Sequence, residues 1–175
     1  SETVPGTFQH SMQVANLAAE VANHIGAKSQ LVRTGALYHD IGKMERPAFF
    51  TENQSGNMNP HKRLKYEQSA KVVINHVLDG IEICRKYHVP EQIIDFARTH
   101  HGTRRTEYFY QMELKENPDM DINEADFRYH GPIPFSKETA VLMMADSVEA
   151  ASRSLADKTE DSIGKLVDGI IDAQV

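Results

Sequence analysis

Ser29-Gln30-Leu31-Val32-Arg33-Thr34-Gly35-Ala36-Leu37-Tyr38-His39-Asp40 is the stretch on which the fold turns. Ser29 suits a helix cap, and Leu31, Gly35, Tyr38 and His39 recur at helical spacing, so they share one face. His39 therefore points inward, where a polar group must be hydrogen-bonded, paired or coordinated. The same pattern recurs along the chain. After Pro5-Gly6, Val14, Leu17, Ala18, Val21 and Ile25 are expected on one face, with His10 four residues before Val14 and Gly26 as the stop. Ser69, Val72, Val73, His76 and Val77 form another helix, expected to break at Asp79-Gly80. Asp79 and Glu82 then read as a capping box for a helix ending near His88-Val89-Pro90. Ile93, Ala97, His100 and His101 follow at helical spacing, with Gly102 as the stop. Ser136 opens a helix through Ala140-Val141-Leu142-Met143-Met144-Ala145-Asp146, and Ile163, Leu166, Val167, Ile170 and Ile171 mark a last one. No run alternates at strand length and no repeat appears, so an all-α helical bundle is expected.

A length of 175 residues fits one domain, expected to span 1–175. Hydrophobic residues at 40% and charged residues at 25% are ordinary for a globular protein. The net charge of −6 argues against a partner that is polymeric nucleic acid, which a basic surface would serve. Two divalent cations in one site would still outweigh that charge locally for a small anionic substrate. The single cysteine, Cys84, cannot form an internal disulfide and fits a reducing compartment. No apolar run reaches membrane-spanning length and no signal-peptide pattern opens the chain. The first residue is not Met, and Ile170 to Val175 stops in mid-pattern, so a domain excised from a larger protein is expected.

Two stretches lose periodicity. Met44 to Arg63 is expected to be a lid or binding loop, with Phe49 and Phe50 suited either to base stacking or to packing the loop down. Glu116 to Pro134, with Pro118, Gly131, Pro132 and Pro134, is expected to be irregular connection.

His10, His39-Asp40, His76, His100-His101 and Asp146 thus lie on inward faces of separate helices. Asp146 ends a nearly continuous hydrophobic run, and a carboxylate there needs a cationic partner. In this order the set resembles the HD-domain phosphohydrolase superfamily, all-helical enzymes built around a binuclear metal site. By that resemblance His10, His39, Asp40 and Asp146 would hold one metal and His76, His100 and His101 the other, with Asp40 bridging both. A carboxylate has two oxygens and can bridge ions about 3.5–4 Å apart, which an imidazole cannot. Five imidazoles favour iron, manganese or zinc over magnesium. Such a centre activates a bridging water for in-line attack at phosphorus, so phosphoester hydrolysis is expected.

The resemblance extends beyond the metal residues. Tyr38-His39-Asp40-Ile41-Gly42-Lys43, Arg46-Pro47-Ala48-Phe49-Phe50-Thr51-Glu52-Asn53-Gln54, Asn59-Pro60-His61, His100-His101-Gly102-Thr103, Tyr108-Phe109-Tyr110 and Met144 to Arg153 look like the HD domain of the PgpH-type family. That family comprises bacterial seven-transmembrane receptors with a cytoplasmic HD domain. The resemblance implies hydrolysis of cyclic di-AMP to pApA with two divalent transition metals, iron or manganese, and catalytic roles for Asp40 and Lys43. It also implies a cytoplasmic domain of a multi-pass plasma-membrane protein, joined to the membrane only through an N-terminal region. The Gly-Tyr-Pro signature of cyclic di-GMP phosphodiesterases is missing after the His doublet, which continues Gly102-Thr103-Arg104-Arg105. His130 and Tyr66 stand where many relatives carry proline.

Substrate contacts are expected from Lys43 on a phosphate, Arg104 and Arg105 on a second phosphate, and Asn53, Gln54 and His61. Asn59 could also read a base edge. Packing within the loop, or a solvated surface charge for the basic residues, is the alternative for each. The partner is expected to be a cyclic dinucleotide, and an oligomer is compatible with the sequence. The rivals are an HD phosphohydrolase acting on cyclic di-GMP, a nucleoside phosphate or an alarmone, and a signalling module that binds without cleaving.

Overall fold

The computed structural model describes residues 3–54 and 59–174. Its helices are α1 (Pro5–His24), α2 (Ser29–Tyr38), α3 (Tyr66–Lys86), α4 (Glu91–Thr99), α5 (Glu107–Glu116), α6 (Lys137–Ser152) and α7 (Glu160–Gln174). Among the described residues there is no strand, only an isolated antiparallel bridge between Arg105 and Arg128. The all-α expectation holds. None of these helices is long and apolar enough to cross a membrane.

The main core joins Val14, Ala15, Ala18 and Ala22 of α1 to Val32 and Ala36 of α2, Phe96 of α4, and Val141, Leu142 and Ala145 of α6. The expected face of α1 needs correcting, because Leu17, Val21 and Ile25 are 39%, 39% and 46% exposed. The buried stripe is Ser11, Val14, Ala15, Ala18 and Ala22 instead. Small side chains let α1 lie close against α2 and α6, and that close packing outweighs burial of the bulkier residues on the helix flank. A second cluster joins Ala70 and Ile74 of α3 to Phe127, with Tyr66, Phe109, Tyr110, Ile122 and Tyr129 around it.

The break expected at Asp79-Gly80 does not occur, and α3 runs through it from Tyr66 to Lys86. Gly80 serves a close approach: its backbone N would lie 2.5 Å from a Cβ on Gly42, and His76 O only 1.9 Å from it. Two glycines therefore let the backbone after Asp40 lie directly on α3. Ser29 is the first helical residue of α2 rather than its cap, and no side chain caps that end. Ser136 does cap α6, its hydroxyl accepting from Thr139 N–H. Gly26 and Gly102 follow α1 and α4 at φ +69° and +54°, the left-handed conformation that suits a helix stop.

The expected loop from Met44 to Arg63 is wound into short 3-10 helices, Ile41–Glu45, Pro47–Phe49, Thr51–Asn53 and Pro60–Arg63. Residues 55–58 of that expected loop lie outside the described residues. The stretch from Glu116 to Pro134 is mostly irregular, with one 3-10 helix, Glu124–Phe127, that buries Phe127.

Candidate metal centre

Five elements deliver the seven side chains. His10 and Asp146 come from within α1 and α6, His76 from within α3, His39-Asp40 from the end of α2 and His100-His101 from the end of α4. His39 keeps helical angles, whereas Asp40 leaves the helix at φ −103°, ψ 13°, to precede the 3-10 helix Ile41–Glu45. With Gly42 seated on the His76 carbonyl, Asp40 is carried to α3. His10, His39, Asp40, His76, His100 and Asp146 are all buried, and His101 is half-buried.

Asp40 divides its oxygens between two groups. Oδ2 lies 3.3 Å from His39 Nε2, 3.6 Å from His10 Nε2 and 2.7 Å from Lys43 Nζ. Oδ1 lies 3.3 Å from His76 Nε2 and 3.5 Å from His100 Nε2. Asp146 Oδ1 adds contacts of 2.9 Å to His10 Nε2 and 3.6 Å to His39 Nε2. Two sets of potential ligand atoms follow, Asp40 with His76, His100 and His101, and Asp40 with His10 and His39; within each set all atoms lie within 4.8 Å of one another.

Hydrogen bonds fix how the rings present themselves. Nδ1 of His39, His76 and His100 donates to the carbonyls of Ala36 (2.6 Å), Val73 (2.5 Å) and Ala97 (2.8 Å). Each ring therefore turns Nε2 to the centre, the arrangement in which an outer hydrogen bond orients a metal-binding imidazole. His76 Nε2 and His100 Nε2 face one another at 3.2 Å. Two lone pairs at that distance repel unless a proton or cation lies between them. His39 Nε2 and Asp40 Oδ1 are also buried without a hydrogen-bond partner. Orphaned polar atoms are rare in protein interiors, and these two sit where the donor sets meet, so the residues fit a divalent metal centre.

The electrostatics agree. Burial pushes the Asp40 carboxyl up, but His39 and Lys43 outweigh it and hold Asp40 well below the usual carboxylate range. Burial likewise acts against Asp146, which His10 and His39 hold well below that range. Burial disfavours the His39 imidazolium, yet Asp40 and Asp146 raise it to about 10. His10 is raised in the same way, burial being overcome by Asp146 and Asp40. His100 is pushed down by burial first and by the charges of His39 and His76. His101 is pushed well down by burial, His100 and His76, so both doublet rings are neutral, the form that binds metal.

Of the residues expected at substrate, Lys43 touches the centre, and the polar groups of all of them are engaged within the protein. Lys43 bridges Asp40 and Glu52, at 2.7 Å from each, and sits over the Phe50 ring. Burial lowers its ammonium pKa, and the two carboxylates more than reverse that. Asn53 exchanges hydrogen bonds with Thr7 of α1, and Gln54 donates to Ala48 O. Asn59 accepts from His61 N–H, while His61 Nε2 pairs with Phe49 O at 2.8 Å. Arg104 donates to Ser147 Oγ, one residue beyond Asp146, and is exposed. Arg105 is held by Glu107, Glu124 and the Tyr110 ring.

Three neighbours were not expected from sequence. Glu149 Oε2 meets His10 Nδ1 at 2.5 Å, Glu52 holds Lys43, and Tyr129 stacks on His101 with ring centres 4.1 Å apart. Only Glu149 had a signal, its place one turn after Asp146 on the same helix face.

The family model described as HD domain matches residues 7–151. The chain is 52% identical over 167 residues to the cyclic-di-AMP phosphodiesterase PgpH of Listeria monocytogenes, covering 95% of this chain and 23% of that protein. It is 46% identical over 167 residues to the Bacillus subtilis cyclic-di-AMP phosphodiesterase PgpH, with the same coverage. The chain thus spans about a quarter of the length of these relatives. The crystal structure of the L. monocytogenes phosphodiesterase PgpH HD domain in complex with cyclic-di-AMP superposes with a TM-score of 0.93 at 49% identity, covering 99% of this chain and 82% of that one.

Proposed function

Since the chain belongs to the HD domain family, we propose that it hydrolyses one phosphodiester bond of cyclic di-AMP to give the linear dinucleotide pApA. The observation that carries this beyond fold is the division of the two Asp40 oxygens between two sets of imidazoles. We assign His10, His39, Asp40 and Asp146 to one divalent metal, and His76, His100 and His101 to a second, with Asp40 common to both. The imidazole-rich set suits iron or manganese. Bound there, two such metals supply Lewis-acid polarisation of a phosphoryl oxygen and a water activated near neutral pH.

The chain's own side chains do the rest. Lys43 keeps its proton between Asp40 and Glu52 and can turn from Glu52 to a phosphoryl oxygen without leaving Asp40. Phe50, 6% exposed and edge-on to His76, keeps water from that side of the site. Arg104, which donates to Ser147 next to Asp146, is assigned here to the second phosphate of a cyclic dinucleotide, a reading its exposure and that nearness support. Arg105, by contrast, would have to give up Glu107 and Glu124. Likeness at 52% and 46% identity to two cyclic-di-AMP phosphodiesterases supports this substrate over other nucleotides. We further propose that the chain is the cytoplasmic HD domain of a longer bacterial membrane protein, which its coverage of only 23% of those relatives supports.

The test is a panel of cyclic di-AMP, cyclic di-GMP, a nucleoside triphosphate and an alarmone, incubated with the manganese-loaded chain. Cyclic di-AMP should be consumed fastest, with pApA as product, and Asp40→Ala should abolish turnover. Faster consumption of another nucleotide would overturn the substrate. Turnover retained by Asp40→Ala would overturn the assignment of Asp40.

A further inference from the structure

Behind His10, on the side away from Asp40, lies a polar cluster that the proposed reaction does not use. Glu149 is buried, and its two oxygens have separate partners. Oε2 meets His10 Nδ1 at 2.5 Å, while Oε1 accepts from Arg153 Nε at 2.8 Å and from a terminal nitrogen of Arg153 at 2.6 Å. That terminal nitrogen also approaches His10 Nδ1 at 3.0 Å. A guanidinium carries only donors, so it cannot take the imidazole proton. Arg153 instead holds the Glu149 carboxylate aimed at the ring. His39, His76 and His100 orient their rings through backbone carbonyls, whereas His10, on α1, uses a side chain from α6.

We propose that Glu149 is a positioning residue for one of the two metals: by accepting the His10 Nδ1 proton it fixes Nε2 as the lone-pair nitrogen facing Asp146 and Asp40, with Arg153 as its clamp. This rests on His10 being a metal ligand. It predicts that Glu149 tunes the metal held with His10 and His39 and leaves the metal held by His76, His100 and His101 alone. Loss of such an outer partner typically weakens metal affinity by about 10–100-fold.

Substitution chemistry makes the case testable without gross change of shape. Glu149→Gln has the same size, but its amide has one acceptor where two donors converge. If the carbonyl faces Arg153, the amide NH₂ faces His10 and favours the wrong tautomer; if it faces His10, the NH₂ meets Arg153. Glu149→Ala removes the acceptor entirely. A cavity of about 480 Å³, lined by Gln9, Gln13, Glu52, Glu149, Arg153 and Lys158, opens onto this pair. A small carboxylate such as acetate can therefore reach the place of the missing side chain in Glu149→Ala.

The experiment titrates manganese into the chelator-stripped chain and its variants by calorimetry, with metal content checked by mass spectrometry and folding by circular dichroism. In Glu149→Gln one of two manganese affinities should fall by about 10–100-fold, with the other within threefold of wild type. Glu149→Ala should lose at least as much at the same site and recover in acetate but not in chloride. Two affinities unchanged in Glu149→Gln would overturn the inference while leaving the metal assignment standing. Equal loss at both sites in a folded variant, or no acetate recovery in a folded Glu149→Ala, would overturn it as well. A wild-type chain that binds fewer than two metals, or a His10→Ala variant that binds both at full affinity, would instead refute the ligand assignment on which it rests.

Discussion

Asp40 and His39 are adjacent in sequence but do opposite electrostatic work. Asp40 is a buried carboxylate held ionised by His39 and Lys43, and His39 is a buried imidazole held protonated by Asp40 and Asp146. The consequence appears when metal is stripped. A histidine pKa raised to about 10 means that the folded chain binds this proton more tightly than the unfolded one, whose pKa is 6.5. The stabilisation is complete below pH 6.5 and is lost as pH climbs through about 10, and His10 acts in the same direction. His100 and His101 run the other way: the unfolded chain protonates them below pH 6.5 more readily than the folded one, which penalises folding as the pH falls. Asp40 and Asp146 lend stability above pH 3.8, lost as pH drops through their lower folded values. Stability of the stripped chain should therefore peak near pH 6.5 and fall towards pH 10. Manganese should flatten that alkaline limb, since a cation takes over the role of the His39 proton. Thermal melting with and without manganese across this range checks it, and a stripped chain with a constant melting temperature from pH 6.5 to 10 would contradict it. At this scale the meeting of the seven side chains was legible because His10, His76 and Asp146 fall on patterned helices, His39, His100 and His101 follow directly on such helices, and Asp40 stands beside His39. Glu52 and Tyr129 were not, because their positions depend on irregular chain whose path no periodicity encodes.

Elements meet at the centre through backbone contact as much as through side chains. The 3-10 helix Ile41–Glu45 lies on α3 at Gly42 and Gly80, and that contact brings Asp40 within reach of His76. From sequence, Gly80 looks like a helix breaker, because a glycine after an aspartate carries no sign of what will lie against it. The cost of a glycine within α3, about 1 kcal/mol against alanine, is offset by the approach to Gly42 that it allows. Gly42→Ala should destabilise the chain by about 1–3 kcal/mol or more, because its Cβ would lie 1.9 Å from a helical carbonyl that cannot move alone. Gly80→Ala should be milder, its nearest atom being 3.2 Å away. Urea denaturation distinguishes the two, and Gly42→Ala as stable as wild type would refute the contact. The alanine stripe of α1 illustrates the same limit. Periodicity located the helix, but which of two adjacent faces is buried depended on how closely its neighbours could come.

Across the whole molecule, α1, α2, α4 and α6 pack on one small-residue core, and α3 closes the opposite side of the centre through Gly80, Gly42 and His76. Residues as distant as His10 and Asp146 thereby meet at 2.9 Å. The bundle was legible from helical spacing alone. Helix α5 was not, because its aromatic residues 108–110 are consecutive rather than spaced; Phe109 and Tyr110 pack on His61 and Phe127 instead of the main core, and Tyr108 is exposed. Whether Asp40 joins two metals is measured most directly by diffraction from manganese-grown crystals, recorded on either side of the manganese absorption edge. Two anomalous peaks about 3.5–4 Å apart, flanking the Asp40 carboxylate, are predicted; a single peak, or none beside Asp40, would contradict the binuclear centre.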